Sequence, residues 1–376
     1  MSDEIIIFEF QEYDNEINTE RKQRRRFIRE QSDPFSLEDT EFIKRYRLSK
    51  ELVINLCAEL QPMIKKPTKS TDLSIETKVL TALSFYATGS YQRPIGDITA
   101  HSMALQTVSA VIAEVTRCID TPAMRRKYIS FPNSLEERNK VRTRFYQKLN
   151  FPGILGCIDC TQVAIIRPSQ NEERFYCRKH YHSLNVQLIC DADMNITSVD
   201  ASYGGATHDS FIWNVHPLKL FLENLDETTW LLADSGYPLR KYMMTPIVNA
   251  LPDTPEKHYT DLQIRTRNVI ERTIGLLKAR FRCLLVHRVL HYQPRVAASI
   301  VNTCVILHNI CNKANMPVST LSNEDVLQEA QMQLSLTNNE HTVNNNQGLQ
   351  FGVNCRNNYF ISGTLDIPKT ISLCLI

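Results

Sequence analysis

In the first third of the chain apolar residues recur every three or four positions; further on they alternate or run together, so helices are expected early and strands later. Leu52, Leu56 and Leu60 recur at helical spacing behind Ser49, a residue type that caps helix starts, and Pro62 marks the end. Thr77–Thr88 reads as a second helix stopped by Gly89. A short helix after Pro94, a turn around His101–Ser102 and a longer helix through Val108, Val111, Ile112 and Val115 have helix-turn-helix proportions. That longer helix offers mainly Gln106, Thr107 and Ser109 to a partner, with no Arg or Lys before Arg117, a thin set for reading base edges.

From Pro152 the pattern changes. Strand-like segments fall at Ile154–Ile166, Leu184–Cys190, Ile196–Tyr203 and Trp230–Ala233, with a helical stretch over Ser210–Asn224 between the third and fourth. A long helical pattern follows over Leu262–Arg282, and another over Pro294–Asn312. Three strands, a helix, a strand and more helix indicate a mixed sheet flanked by helices. The chain then divides into a polar, basic arm over 1–33, expected to be poorly ordered; a helical, helix-turn-helix-like domain over 34–147; an α/β domain over 148–316; and an Asn/Ser-rich tail over 317–376, expected to be loosely ordered.

With 376 residues, 43% hydrophobic and 22% charged, the chain has room for two ordinary globular cores. A net charge of +2 hides a local excess. Between Ile264 and Arg295 lie Arg265, Arg267, Arg272, Lys278, Arg280, Arg282, Arg288 and Arg295 against the single acid Glu271, a field suited to a polyanion. The run RKQRRRFIR (Arg21 to Arg29) reads as a nuclear import signal, a DNA-touching arm or a solvated first helix. The acidic start lacks a signal-peptide pattern, and no run approaches the roughly 20 apolar residues a membrane span needs. Eleven cysteines, an odd number, argue for reduced thiols. Cys157 and Cys160 form a CxxC without a second pair, and strand residues three apart face opposite sides, so they read as packed thiols, not zinc ligands.

Acids recur at strand ends and helix starts. Asp159 interrupts an otherwise apolar strand in GCIDCTQV, where a lone carboxylate would cost several kcal/mol, roughly, without a positive partner. Asp209 lies in GGATHDSF, where Gly204-Gly205 breaks the third strand, and Asp234 follows the fourth. On the long helix, Ile270, Ile274, Leu277 and Phe281 make an apolar stripe, and Glu271, Gly275, Lys278 and Arg282 make the adjacent one, Gly275 being read as room for close backbone approach. Singly each acid has a plain role, as turn former, helix cap or partner of Arg267. Together they would repel unless cations bridged them, and hard oxygen ligands suit Mg²⁺ or Mn²⁺. Two such ions about 4 Å apart would serve phosphoryl transfer, with Lys278 and Arg282 on the substrate phosphates. His308, in the apolar SIVNTCVILHNIC, reads as a packed histidine; His208 beside Asp209 reads as a phosphate or carboxylate contact or as a plain surface residue.

In this order, GCIDCTQV, FYCRKHYHSLNVQLICD, GATHDS, LLADSGYP, RTRNVIERTIGLLKARFRCL and ILHNIC resemble the DDE endonuclease domain of PIF/Harbinger transposases and their domesticated animal relatives, over about Phe42 to Met316. The resemblance implies an RNase H-like fold with a mixed five-stranded sheet and a divalent-metal nuclease acting on DNA. It matches Asp159 and Asp234 to the first two catalytic aspartates, Glu271 to the final glutamate and Asp209 to an additional metal ligand. DNA contacts are then expected from Arg267, Arg272, Lys278 and Arg282. The resemblance also implies a nuclear location and a Myb/SANT-like companion protein, and leaves oligomer formation open. Cys160 and His180 stand where these transposases often have Gly, and Ala104 where a capping Ser is usual. The competing readings are a catalytically silent DNA-binding or scaffolding protein, and a structural protein that never meets DNA.

Overall fold

Four helices of the first half begin where a side chain satisfies a free backbone N–H group. The computed structural model describes residues 19–67, 72–89, 95, 101–317, 321 and 323–329. After helix α1 (19–30) come α2 (Asp39–Tyr46), α3 (Lys50–Leu60), α4 (Ile75–Thr88), α5 (Leu105–Ile119), α6 (Pro122–Tyr128) and α7 (Leu135–Leu149). Ser49, Ser74 and Thr121 accept from the N–H groups of Leu52, Thr77 and Met124, and Ser134 forms a capping box with Glu137. α5 has Ala104 at this position and no side-chain cap. Its Val108, Val111, Ile112 and Val115 are buried as the spacing predicts, leaving Gln106 and Arg117 exposed. The short helix expected after Pro94 lies outside the described residues except for Ile95, which is buried and helical.

The α/β part is a five-stranded mixed sheet of order β3-β2-β1-β4-β5. Its strands are β1 (Ile154–Ala164), β2 (Ser183–Cys190), β3 (Ile196–Gly204), β4 (Trp230–Leu232) and β5 (Met243–Met244). β1, β2 and β3 are antiparallel neighbours, and β4 and β5 run parallel to β1. α8 (Asp209–Val215) and α9 (Pro217–Glu223) cover one face around Trp213, while α10 (Pro255–Arg280) and α11 (Pro294–Lys313) cover the other. This is the expected RNase H-like fold. β4 pairs with β1 only as far as Cys157, so Ile158–Val163 keep their ladder with β2 and leave the opposite edge open. That gap is where Asp159 lies.

One apolar cluster runs from Phe42 and Tyr46 through α4 and α5 to α11 and the α10 face of the sheet, so the core is continuous across the boundary expected at 147/148. α11 ties the halves together. Asn309 donates to the carbonyls of Tyr128 (2.8 Å) and Ile196 (2.7 Å) and accepts from the Ile196 N–H (2.8 Å). His308 Nε2 lies 3.0 Å from the Met194 carbonyl and Nδ1 3.4 Å from Arg280 Nη1, an arrangement only the neutral ring fits. Burial, with the Arg280 charge, holds this imidazole at about 4. His308 is therefore the packed histidine the sequence predicts. The nine described cysteines are free thiols. Among the described residues no helix is long and apolar enough to cross a membrane.

Several expectations change. The helix expected over Ser210–Asn224 is two helices, because Pro217 has no N–H of its own to continue the ladder, holds His216 in extended backbone and restarts the chain as an N1 proline. α10 begins at Pro255, earlier than expected, and ends at Arg280, so Arg282 belongs to the following turn and leaves the Glu271 stripe. Gly275 admits no neighbouring backbone: a Cβ there would meet nothing within 4 Å. The tail, where described, is helical over 323–329 (α12) and held by ion pairs; the basic arm before 19 and the tail beyond 329 lie outside the described residues.

Gly275→Ala should stabilise the protein by up to about 1 kcal/mol in chemical denaturation, since it replaces an exposed mid-helix glycine. Gly89→Ala should destabilise it by more than about 1 kcal/mol, because φ is +62° and a Cβ would lie 2.9 Å from Cys283 Cα. Acid should also weaken the fold through His308. Its folded-state pKa lies below the unfolded value, so the unfolded chain binds the extra proton between about pH 6.5 and 4, and stability falls as pH drops through that window. Denaturant midpoints should drop across that range in the wild type and drop less in His308→Gln; parallel curves would contradict this origin.

Candidate active site

Strand alternation sorts the polar residues of β1 between two faces. Cys157 points to α10, its thiol 3.6 Å from the Thr266 carbonyl, and Asp159, two residues on, points the same way. The Asp159 carboxylate accepts from the Cys160 N–H (2.8 Å) and from Arg267 Nη1 (2.9 Å), with 19% of its side chain exposed. Burial pushes its carboxyl up to about 6, Arg267 and the Cys160 N–H pull it down, and nearby Asp234 pushes it up again. The partner that the strand aspartate requires is Arg267.

α10 builds the site through positions four apart. Gln263 donates to the Ala233 carbonyl (2.8 Å) and fixes the chain where β4 ends, immediately before Asp234. Arg267, one turn on, reaches Asp159. Its second nitrogen donates 2.5 Å to Glu271, the next residue in the row, whose side chain is half exposed. One guanidinium thus spans two of the three sequence-matched carboxylates. Asp234 folds back to accept from the Gly236 N–H (2.9 Å) in a turn just past β4. Gln263 gave no signal in the sequence beyond its place in this row, which could have marked it.

Asp209 lies on the other face. Its carboxylate accepts from Asn185 (2.7 Å), and Gln187 donates to the Asp209 carbonyl (3.5 Å) and the Tyr237 hydroxyl (3.3 Å). The Cys160 thiol lies 3.3 Å from the same hydroxyl, and burial pushes that thiol well above its usual range. Asp209 meets Asn185 while Asp159 meets Arg267 of α10, and Tyr237 and Cys160 lie close enough to feel both carboxylates. Asn185 Oδ1 and Gln187 Oε1 are buried acceptors without hydrogen-bond donors among the described residues. The sequence reading missed this pair, although two amides two apart on a buried strand are its signature. A polar cavity of about 250 Å³ adjoins it, lined by Cys160, Asn185, Asp209, Lys278 and Glu329 among others.

The cations expected to meet phosphate have different fates. Arg267 is engaged as described. Lys278 donates to the Gln162 carbonyl (3.0 Å), and burial lowers its pKa. Arg272 is exposed on α10. Arg282 pairs with Asp325 at 3.2 Å, a consequence of the helix ending before it. His208 is exposed and makes no side-chain cap to α8.

Hard oxygen donors, a desolvated carboxylate and a balancing positive charge fit a divalent cation in chemistry. Among the described residues, no three acidic, thiol or imidazole side chains converge closely enough to hold one. Arg267 supplies the balancing charge in their place.

The family described as DDE superfamily endonuclease matches residues 158–309, a span that holds Asp159, Asp234, Glu271 and the sheet around them. "Putative nuclease HARBI1" of Xenopus laevis is 33% identical over 293 residues, covering 76% of this chain and 83% of that protein. The Homo sapiens protein of the same name is 32% identical over 293 residues, covering 76% and 82%. "Protein ALP1-like" of Arabidopsis thaliana is 22% identical over 332 residues, covering 82% and 78%. No solved structure matches the chain. The sheet order, the acids around the open edge of β1 and this likeness over most of both chains agree: the chain belongs to the Harbinger transposase-derived nucleases of the DDE superfamily.

Proposed function

We propose that the protein is a divalent-metal-dependent DNA endonuclease that hydrolyses phosphodiester bonds by a two-metal mechanism, with Asp159, Asp234 and Glu271 as its catalytic carboxylates. The observation that carries this reading is the desolvated Asp159 carboxylate at the open edge of the central strand, with Asp234 near enough to push its pKa up and Glu271 one guanidinium away. DDE superfamily endonucleases generally use divalent metals, and Mg²⁺ or Mn²⁺ would polarise the attacking water and stabilise the departing oxygen. Asp159, Asp234 and Glu271 would hold these ions. Arg267 must release both carboxylates for a cation to take its place, and its planar fork then suits a substrate phosphate. Arg272, exposed on the same helix, adds a phosphate contact, and Lys278 a half-buried basic side chain lining the polar cavity. Asp209 supports the site from the other face by orienting Asn185.

The same reading puts the protein's work in the nucleus, with the basic run on α1, exposed at Arg21, Lys22 and Arg24, as an import signal. A Myb/SANT-like companion would supply the sequence reading that the cation-poor α5 lacks. A catalytically silent DNA-binding or scaffolding protein is the second reading, and one observation favours it: Arg267 already satisfies Asp159 and Glu271 without a metal.

Supercoiled plasmid with Mg²⁺ or Mn²⁺ separates the two. The wild type should nick it, and Asp159→Ala should lower the rate by more than about 100-fold. Equal rates would remove Asp159 from the chemistry, and no cleavage in any metal would leave the silent reading. A binding measurement isolates Arg267. If metal and guanidinium compete, Arg267→Gln should enlarge the rise in Tm caused by Mn²⁺, since about tenfold tighter binding adds about 1.4 kcal/mol of stabilisation at saturating metal. A smaller rise than in the wild type would show that Arg267 does not block the metal position.

A further inference from the structure

Beyond the carboxylates, a second group of charges has no role in the chemistry above. Asp325, on α12, is 2% exposed and lies among basic side chains: Arg282 at 3.2 Å, His287 at 3.1 Å and Arg288 at 3.6 Å. Arg47, from the turn after α2, is close enough to feel both Arg282 and Asp325. One turn later Glu329 accepts from the Val286 N–H (2.5 Å), lies 3.4 Å from His287 Nδ1 and lines the polar cavity with Lys278 and Asp209. Meanwhile Val326 and Leu327 on the same helix are 49% and 61% exposed. α12 is therefore held by its two carboxylates and not by apolar burial, which makes its docking electrostatic.

The carboxylates do not saturate the surface they cover. The Nε groups of Arg47, Arg282 and Arg288 are buried donors with no hydrogen-bond acceptor among the described residues. Three guanidinium groups present more directed N–H donors than Asp325 can accept, while a phosphodiester offers two unesterified oxygens per nucleotide along a continuous strand. We propose that Arg47, Arg282, His287 and Arg288 form a phosphate-binding surface for the DNA backbone, separate from the metal carboxylates, which α12 occupies through Asp325 and Glu329 until DNA displaces it. This rests on the reading that the protein acts on DNA. It adds a built-in competitor: the acidic helix lies on the cations and at the mouth of the cavity beside Asp209, so strand entry and helix release are coupled.

The test uses the full chain and a fluorescent DNA duplex of about 20 base pairs, followed by anisotropy over a salt series. Asp325→Asn combined with Glu329→Gln should bind about tenfold more tightly than the wild type at low salt, and affinity should fall more steeply with salt as extra phosphates are neutralised. Adding Arg47→Gln and Arg288→Gln should cancel the gain. Because the helix variant leaves buried cations unpaired, which costs folding stability, hydrogen exchange on the wild type provides a second reading: DNA should speed exchange of the amides over 323–329. Wild-type binding with an affinity unchanged in the helix variant, or with those amides equally protected, would overturn the inference while leaving the DNA reading in place. Absence of DNA binding by every form would overturn both.

Discussion

Desolvating Asp159 in the middle of β1 demands a positive charge nearby, and α10 supplies it through Arg267. Both side chains are mostly buried, so deleting one partner alone would leave an uncompensated charge, at a cost of about 3–5 kcal/mol. The pairing also fixes how α10 lies on the sheet. Gln263 reaches the end of β4, Arg267 the centre of β1 and Glu271 the open edge, each one helical turn apart. Ile270 and Leu277 on the neighbouring row are buried against the sheet, so the polar row cannot rotate away without exposing the apolar one.

That arrangement explains how one fold can serve a nuclease and a silent relative equally well. Early termination of β4 leaves β1 with a free edge, where Asp159 meets Arg267 of α10. Arg267 satisfies Asp159 and Glu271 electrostatically; under the proposed function a cation would have to take over that pairing. Asp209 lies across the sheet with Asn185, Gln187 and Tyr237, where it sets the shape of the adjoining cavity. The two faces communicate through β1, whose Asp159 and Cys160 look in opposite directions.

Much of this was legible from residue order. The first three strands, α3, α4, α5 and α11 follow apolar periodicity, and their ends fall close to the expected caps and breakers. β5 was invisible to that reading because two residues, Met243–Met244, carry no alternation. The start of α10 was missed because its first turns, Glu256, Lys257 and His258, are polar and lack an apolar stripe. Asp159 announced a site by its place in an apolar strand, and Glu271 by its helix row. What the spacing did not reveal was direction: which face of β1 Asp209 would meet, that Arg282 would leave the helix for Asp325, and that open space would surround Gly275. Those outcomes depend on where a helix stops and which side chains turn toward it, and both are decided by packing between distant segments.

The proposed function turns on exchange of the Arg267 guanidinium for a metal ion. Diffraction from crystals soaked in Mn²⁺, recorded at the manganese absorption edge, tests it most directly. The account predicts anomalous density within about 2–2.5 Å of Asp159 carboxylate oxygens, shared with Asp234 or Glu271, and Arg267 turned off both acids. Saturating Mn²⁺ with no such density, and Arg267 still spanning Asp159 and Glu271, would contradict it.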